Sequence, residues 1–152
     1  MLESLAILSF IVVLSSFFFM NNNTSNTFPK SEKLCSKITI DLLFAESKSF
    51  VVYPFRIVYR ELPDHIIQES RAAMFVSVPK KKFKRAVKRN LIRRRVKESY
   101  RLNKSSLLDV LHQQDKRIAF AILYLEREIR PYDLIEEKMK ELQAQLIKQL
   151  TK

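Results

Sequence analysis

The sequence predicts a single α+β domain. Short segments rich in β-branched and aromatic residues alternate with long segments of helical periodicity. A length of 152 residues is enough for one modest core and too short for two ordinary domains. Hydrophobic residues make up 47% and charged residues 29% of the chain, a balance typical of globular proteins. The predicted order is helix, strands, basic helix, strand, helix.

The first half holds a short helix and the first strands. Ser36 can cap a helix over 36–44, whose apolar residues share one face. The segment 50–61 is β-branched and aromatic, and predicts a strand. Because Pro54 donates no backbone hydrogen bond, the strand ladder should begin after it or lie at a sheet edge. A second strand is predicted over 72–78.

The second half holds the longest elements. A proline-free segment rich in good helix formers predicts a long helix over 83–103, followed by an amphipathic turn or two near 107–111. The almost continuously apolar segment 117–125 is typical of a central strand covered on both faces. Pro131 opens a last amphipathic helix that ends near Leu150.

Some residue types are scarce, and this excludes several classes of protein. The chain has no glycine, which excludes both the Walker phosphate loop and the dinucleotide fingerprint. The single cysteine, Cys35, excludes an intrachain disulfide framework and a multi-cysteine zinc site. His65 and His112 are far apart in the sequence. The chain is therefore poorly supplied for a catalytic pocket of its own.

The positive charge is concentrated in one segment. The formal net charge is +12, and the segment 80–101 carries 12 basic residues and one acid, Glu98. An ordinary solvated helix face mixes charges of both signs. This concentration, with an isoelectric point near 10.0, predicts a polyanionic partner. We expect Phe83, Val87 and Leu91 to pack on the sheet, so that the helix presents its cations to phosphates.

The first twenty residues are a separate case. The segment 5–20 is apolar but short for a membrane span, and it lacks the basic start of a signal peptide. Our hypothesis is that translation begins at Met20 and that residues 1–20 are an apolar leader from a misassigned start; a membrane anchor is the alternative. A disordered polar segment over 21–27 and the domain over 28–152 would follow.

The basic segment resembles the signature of the bacterial ribonuclease P protein component. That family carries two lysines, a spacer, Ala-Val, Arg-Asn-Arg, a basic pair and Arg-Glu. The matching positions here are Lys81-Lys82, Ala86-Val87, Arg89-Asn90, Arg93-Arg94 and Lys97-Glu98. The opening 28–34 and the helix end at Leu43-Phe44 are also similar to the family, as is the order of elements over 28–150.

Three positions depart from the family pattern. Leu91 stands where the second arginine of Arg-Asn-Arg is expected, which removes one phosphate contact. Lys84 and Ser47 stand where many members have glycine. We therefore expect the turn into the basic helix to be built without a left-handed residue.

The resemblance implies both a fold and a function. The implied fold is a ribosomal-protein-like domain, a four-stranded mixed sheet with helices against it and a left-handed βαβ crossover. The implied function is that of the protein subunit of a ribonucleoprotein endoribonuclease that removes the 5′ leader from precursor tRNA. Its partners would be the ribonuclease P RNA and precursor tRNA, with no obligate protein partner, in the cytoplasm. Catalysis would belong to the RNA, which would bind most of the Mg²⁺ cofactor.

The resemblance assigns no catalytic residue and no metal ligand to the protein. Two sets of binding residues are expected. One is a cleft for the single-stranded leader, where bases stack on Ile40, Phe44, Phe55 and Tyr59. The other binds structured RNA and comprises Lys81, Lys82, Lys84, Arg85, Lys88, Arg89, Asn90, Arg93, Arg94, Arg95 and Lys97.

The residues alone, without the resemblance, allow other functions. A general RNA-binding protein of ribosomal type is the main alternative, since it needs the same cations but no leader cleft. A DNA-binding protein lacks the expected readout pattern and dimer signals. A membrane-anchored basic protein depends wholly on residues 1–20. A protein-only nuclease would need a carboxylate cluster for metal.

Overall fold

A computed structural model describes residues 27–66 and 69–152. The predictions made for residues 1–20, and for all of 21–27 except Thr27, lie outside these ranges. None of the helices within the described ranges is long and apolar enough to cross a membrane.

Within these ranges, four strands form one mixed sheet: β1 (Lys48–Val52), β2 (Phe55–Glu61), β3 (Ala72–Ser77) and β4 (Ile118–Tyr124). Their order in space is β1-β2-β4-β3. The pairs β1–β2 and β2–β4 are antiparallel, and β3–β4 is parallel. The apolar strand β4 is thus central, as its composition predicts.

The described part of the chain also has four α-helices, α1 (Lys37–Ala45), α2 (Ala86–Asn103), α3 (Ser105–Gln113) and α4 (Tyr132–Leu150), and a 3-10 turn over Lys30–Glu32. They confirm the predicted α+β class. The helices α2 and α3 connect the parallel neighbours β3 and β4, which is the expected βαβ crossover; its left-handed sense stays a prediction.

The helices divide unequally between the two faces of the sheet. The larger core lies under α2, α3 and α4, and includes buried residues from all four strands. The smaller core lies under α1, where Leu43 packs against Val58, Ala73, Ala119 and Ala121. Because three of these partners are alanines, the helix backbone can approach the sheet closely. We refer to these as the three-helix face and the α1 face.

Two predicted elements differ in detail. The segment predicted as one strand is a hairpin, because the chain turns at Tyr53-Pro54 and β1 pairs with β2. The long helix begins at Ala86, since residues 80–82 form a turn and Arg85 has extended backbone angles. The predicted start at 83 is therefore wrong by about one turn of helix.

The buried stripe of α2 also differs from the prediction. Val87 is 79% exposed and Leu91 is half-buried, whereas Ile92, Val96 and Tyr100 are buried against the sheet. Only Phe83, in the turn before the helix, packs as expected. The stripe was assigned to the wrong side of the helix because apolar residues occur on both sides of it.

The chain makes its turns without glycine. The only described residue with positive φ is Asp115, at 52°. The turn into α2 at Lys84 therefore has no left-handed residue, as expected, and Ser47 is not left-handed either. Asp115 follows α3, where Lys116 N–H bonds to Leu111 O at 2.9 Å and closes the helix end. Its carboxylate accepts a 2.6 Å hydrogen bond from Arg71.

Candidate nucleic-acid interface

The predicted cations lie on two consecutive elements, the turn before α2 and α2 itself. We call the residues 80–97 the basic surface. Pro79 ends the sheet, and its carbonyl accepts hydrogen bonds from the N–H groups of Lys82 and Phe83 at 3.2 Å, which forms the turn. Phe83 is buried, with its ring centroid 6.0 Å from that of Tyr124. One buried aromatic thus anchors the turn while the lysines around it stay exposed.

No ion pair among the described residues neutralises the basic surface. Within 27–66 and 69–152, every ion pair uses a lysine or arginine outside 80–97. Six of the predicted cations also have no hydrogen bond from their side chains to described residues: Lys81, Lys84, Arg85, Lys88, Arg94 and Lys97. Free cations at this density match a polyphosphate ligand.

Three cations of the basic surface bind the protein's own backbone. Arg89 Nη1 donates to Phe83 O and to Lys84 O, both at 2.8 Å. Arg95 Nη1 donates to Arg130 O at 2.6 Å, and Lys82 Nζ donates to Leu125 O. These carbonyls lie in the turn before α2 and in the loop after β4. The three side chains therefore fix the geometry of the surface that the other cations present.

Two open grooves border the basic surface. One, of about 510 Å³, lies where the basic turn meets the β4–α4 loop. The other, of about 460 Å³, lies where Phe28 of the N-terminal segment meets Asn90, Arg93, Arg94 and Lys97 of α2. Asn90 Oδ1 accepts a 3.3 Å hydrogen bond from Arg93, so the amide orients an arginine. Its NH₂ group remains available to a ligand.

A carboxylate network holds the β4–α4 loop. Glu126 accepts hydrogen bonds from Arg130 Nη2 at 2.8 Å, from Tyr53 Oη at 2.8 Å and from the Arg127 backbone N–H at 3.0 Å. These donors, chiefly Arg130, lower the pKa of Glu126 to about 2. The carboxylate therefore stays charged and bound to its donors throughout the physiological pH range.

The structure does not bring the four predicted cleft residues together. Phe55 and Tyr59 are 0% and 4% exposed, and they lie in the core of the three-helix face. Burial raises the pKa of Tyr59. Ile40 and Phe44 lie on the α1 face, on the other side of the sheet. The prediction is therefore wrong for Phe55 and Tyr59, because side chains of β2 alternate between faces and these two point under α2 and α4.

The α1 face nevertheless exposes an aromatic surface. Phe44 is 52% exposed and packs edge-on to Phe75 of β3, with ring centroids 6.1 Å apart. Arg60 fastens the end of α1 to β2, since its Nη1 donates to Leu42 O at 2.9 Å. Phe44 is thus held over the sheet with half of its ring open to solvent.

Beyond α1, one row of side chains crosses the sheet. Strand register places Val51 opposite Arg56, Arg56 opposite Leu123, and Leu123 opposite Ser77. Val51 and Arg56 are exposed, and Leu123 and Ser77 are half-buried. Together with Phe44, this row forms an open, apolar surface with one cation, which suits a single strand of nucleic acid. Sequence reasoning missed this row, although the alternation of β2 already separates Arg56 from Phe55.

The described residues show no grouped metal ligands. Within 27–66 and 69–152, no three His, Cys, Asp or Glu side chains are placed to hold a metal ion. Cys35 is an exposed free thiol.

The fold and this surface define a class of protein: a small α+β domain that presents a dense band of unneutralised cations on one helix and its preceding turn. The chain belongs to the ribonuclease P family, whose model matches residues 28–150. It is 43% identical over 111 residues to the ribonuclease P protein component of Porphyromonas gingivalis strain W83, covering 73% of this chain and 80% of that protein. The protein of the same name from strain ATCC 33277 is 42% identical over 111 residues.

Solved structures share the fold. The RNase P protein of Staphylococcus aureus matches with a TM-score of 0.61 at 16% identity, over 77% of this chain and 96% of that one. The RNase P protein of Thermotoga maritima matches with a TM-score of 0.57 at 22% identity, over 75% and 96%. The mixed-sheet α+β architecture implied by the resemblance is thereby confirmed.

Proposed function

We propose that this chain is the protein subunit of a ribonuclease P ribonucleoprotein. It binds the catalytic RNA subunit through the basic surface, and it binds the 5′ leader of precursor tRNA on the α1 face. The holoenzyme then hydrolyses one phosphodiester bond to give the mature 5′ end. The observation that carries the proposal is the basic surface, whose cations have no ion-pair partner among the described residues.

The protein's contribution is electrostatic and positional. RNA strands that approach one another repel through their phosphates, and the free cations of α2 reduce that repulsion by replacing counterions. Stacking of leader bases on Phe44 favours precursor over product, because the product has no leader. We assign Mg²⁺ mainly to the RNA subunit, since the described residues of this chain offer no cluster of ligands for it.

Reconstitution tests this proposal. The full-length chain is added to a bacterial ribonuclease P RNA at low Mg²⁺, and cleavage of a precursor tRNA is followed. We expect cleavage at the mature 5′ end that requires both components. Binding without stimulation, from an RNA that is competent at high Mg²⁺, would instead favour a general RNA-binding protein of ribosomal type.

A charge-reversal variant identifies the docking surface. Changing Arg93, Arg94 and Lys97 to Glu should weaken RNA binding and flatten its salt dependence by about one slope unit for each lost contact. The matched control changes Lys140, Lys148 and Lys152, three exposed lysines at the other end of the chain, to Glu. Equal losses in both variants would show that only net charge matters and would contradict docking through α2.

A further inference from the structure

The groove beside the basic turn has a second wall that lies outside the family signature. The first wall is the turn and the start of α2, and the second is the β4–α4 loop at Arg127, Glu128 and Ile129. We call this space the Arg127 groove; its volume is about 510 Å³ and its lining residues are Lys82, Phe83, Lys84, Arg85, Lys88, Arg127, Glu128 and Ile129.

The second wall is held in a fixed position. Tyr124 Oη donates to Glu128 O at 2.7 Å, and Arg95 donates to Arg130 O at 2.6 Å. Lys82 donates to Leu125 O, which joins the two walls directly. Glu126 adds the network with Arg130 described above. Contacts at both ends of the loop therefore hold the backbone at Arg127 in place before any ligand arrives, which lowers the entropic cost of ordering the loop on binding.

The charges of the groove favour a polyanion. Five cations face one carboxylate, that of Glu128, which lies 4.0 Å from Arg130 Nη1 and is partly compensated by it. Arg127 is exposed, and its guanidinium has no ion-pair partner among the described residues. The lining also has an apolar residue in each wall, Phe83 in the first and Ile129 in the second. A backbone with regularly spaced phosphates matches cations on both sides of an open groove.

We propose that Arg127 forms the second wall of a groove that holds the phosphate backbone of structured RNA between the β4–α4 loop and the basic turn. This inference rests on the proposed function, in which the structured RNA is the ribonuclease P RNA. It adds to the docking surface a residue that lies 26 positions after the last basic residue of the segment 80–101. Arg127 donates to phosphate bidentately, as a planar guanidinium can.

The test compares two arginines at opposite ends of β4. Arg127→Gln and Arg117→Gln remove the same charge from two exposed positions, and Arg117 lies outside the groove. The dissociation constant of the full-length chain for a bacterial ribonuclease P RNA is measured over a range of salt concentrations. We expect Arg127→Gln to lower the salt slope by about one unit and to weaken binding about tenfold near 0.1 M salt. Arg117→Gln should leave the salt slope unchanged, and Arg127→Lys, which keeps the positive charge, should have the same salt slope as wild type.

Two further outcomes are decisive. Equal slopes for Arg127→Gln and wild type, or equal reductions in both glutamine variants, would overturn the inference. A single-stranded leader oligonucleotide serves as a second probe, and its binding should not change in Arg127→Gln. If wild type binds an unrelated structured RNA as tightly as ribonuclease P RNA, the proposed function fails, whereas the slope difference between the two variants still reports on the groove.

Discussion

The two faces of the sheet are made from the same four strands but are covered to very different extents. On the three-helix face, Phe55, Ile57 and Tyr59 of β2 are buried. On the α1 face, the intervening Arg56 is exposed, and Phe44 is half open to solvent. The two alternating sets of side chains on β2 therefore differ: one is buried throughout, whereas the other has buried Val58 in its middle and exposed Arg56 beside it. The difference shows how a domain of this size can keep a stable core and still offer an aromatic side chain, Phe44, to a ligand.

The cause lies in the number of helices on each face. Three helices bury the aromatic and branched residues of one face, whereas α1 spans nine residues and covers only the middle of the other. Small residues beneath it, Ala119 and Ala121, let it lie close to the sheet. The row from Val51 to Ser77 is left outside its reach.

The largest expected effect separates two phenylalanines, one on each face. Phe55→Ala should lower the free energy of unfolding by about 3–5 kcal/mol, because it opens a cavity in the core. Phe44→Ala should lower it by less than about 1 kcal/mol, since half of that ring is already exposed. Urea denaturation of both variants checks this difference. Equal losses would mean that the α1 face is packed as tightly as the three-helix face.

A second comparison tests whether the open face binds the leader. Phe44→Ala should reduce the preference for precursor over mature tRNA by roughly tenfold, because stacking one base is worth about 1–3 kcal/mol. Its affinity for the RNA subunit should change little. Ile38→Ala, at a 70% exposed position of the same helix, is the control and should leave the preference intact. A loss of RNA-subunit affinity that matches the loss of preference would remove Phe44 from the leader surface.

The sequence predicts most of the fold because its strongest signals are local. The continuous apolar run predicts a central strand, β4, and the proline-free run of helix-forming residues predicts a long helix, α2. Both signals come from neighbouring residues, and both elements are confirmed. The sequence predicts one strand interrupted at Pro54 where the structure has a hairpin, since both halves have the same composition. Local sequence does not show which side of α2 packs on the sheet, because both sides carry apolar residues: Val87 and Leu91 on one, and Ile92 and Val96 on the other.

The candidate site was predictable only in part for the same reason. Charge density within 80–97 is visible in the sequence. Which face of β2 lies under α1 depends on where three distant helices pack, so Phe55 and Tyr59 were assigned to the wrong face. Arg127 joins the groove through tertiary contacts of its loop, and no spacing in the sequence connects it to the basic surface.

The helix α2 repeats the contrast between covered and open sides on a smaller scale, and two of its arginines give the finest test. Arg89 donates to two backbone carbonyls, whereas Arg94 is exposed and has no such contact with described residues. If both bound phosphate, Arg89→Gln and Arg94→Gln would lower the salt slope of RNA binding equally, by about one unit each.

We expect only Arg94→Gln to lower the slope. Arg89→Gln should instead destabilise the fold by about 1–2 kcal/mol, because two carbonyls in the turn lose their donor, and should weaken RNA binding by the same factor at every salt concentration. Arg89→Lys separates the two roles, since it keeps the charge but cannot bridge both carbonyls with one planar group. If Arg89→Lys fully restores RNA affinity and Arg89→Gln lowers the salt slope, Arg89 is a phosphate contact and belongs to the open side of α2. If instead both variants lose stability and RNA affinity while the salt slope stays unchanged, Arg89 is the residue that fixes the turn from which the free cations reach the RNA.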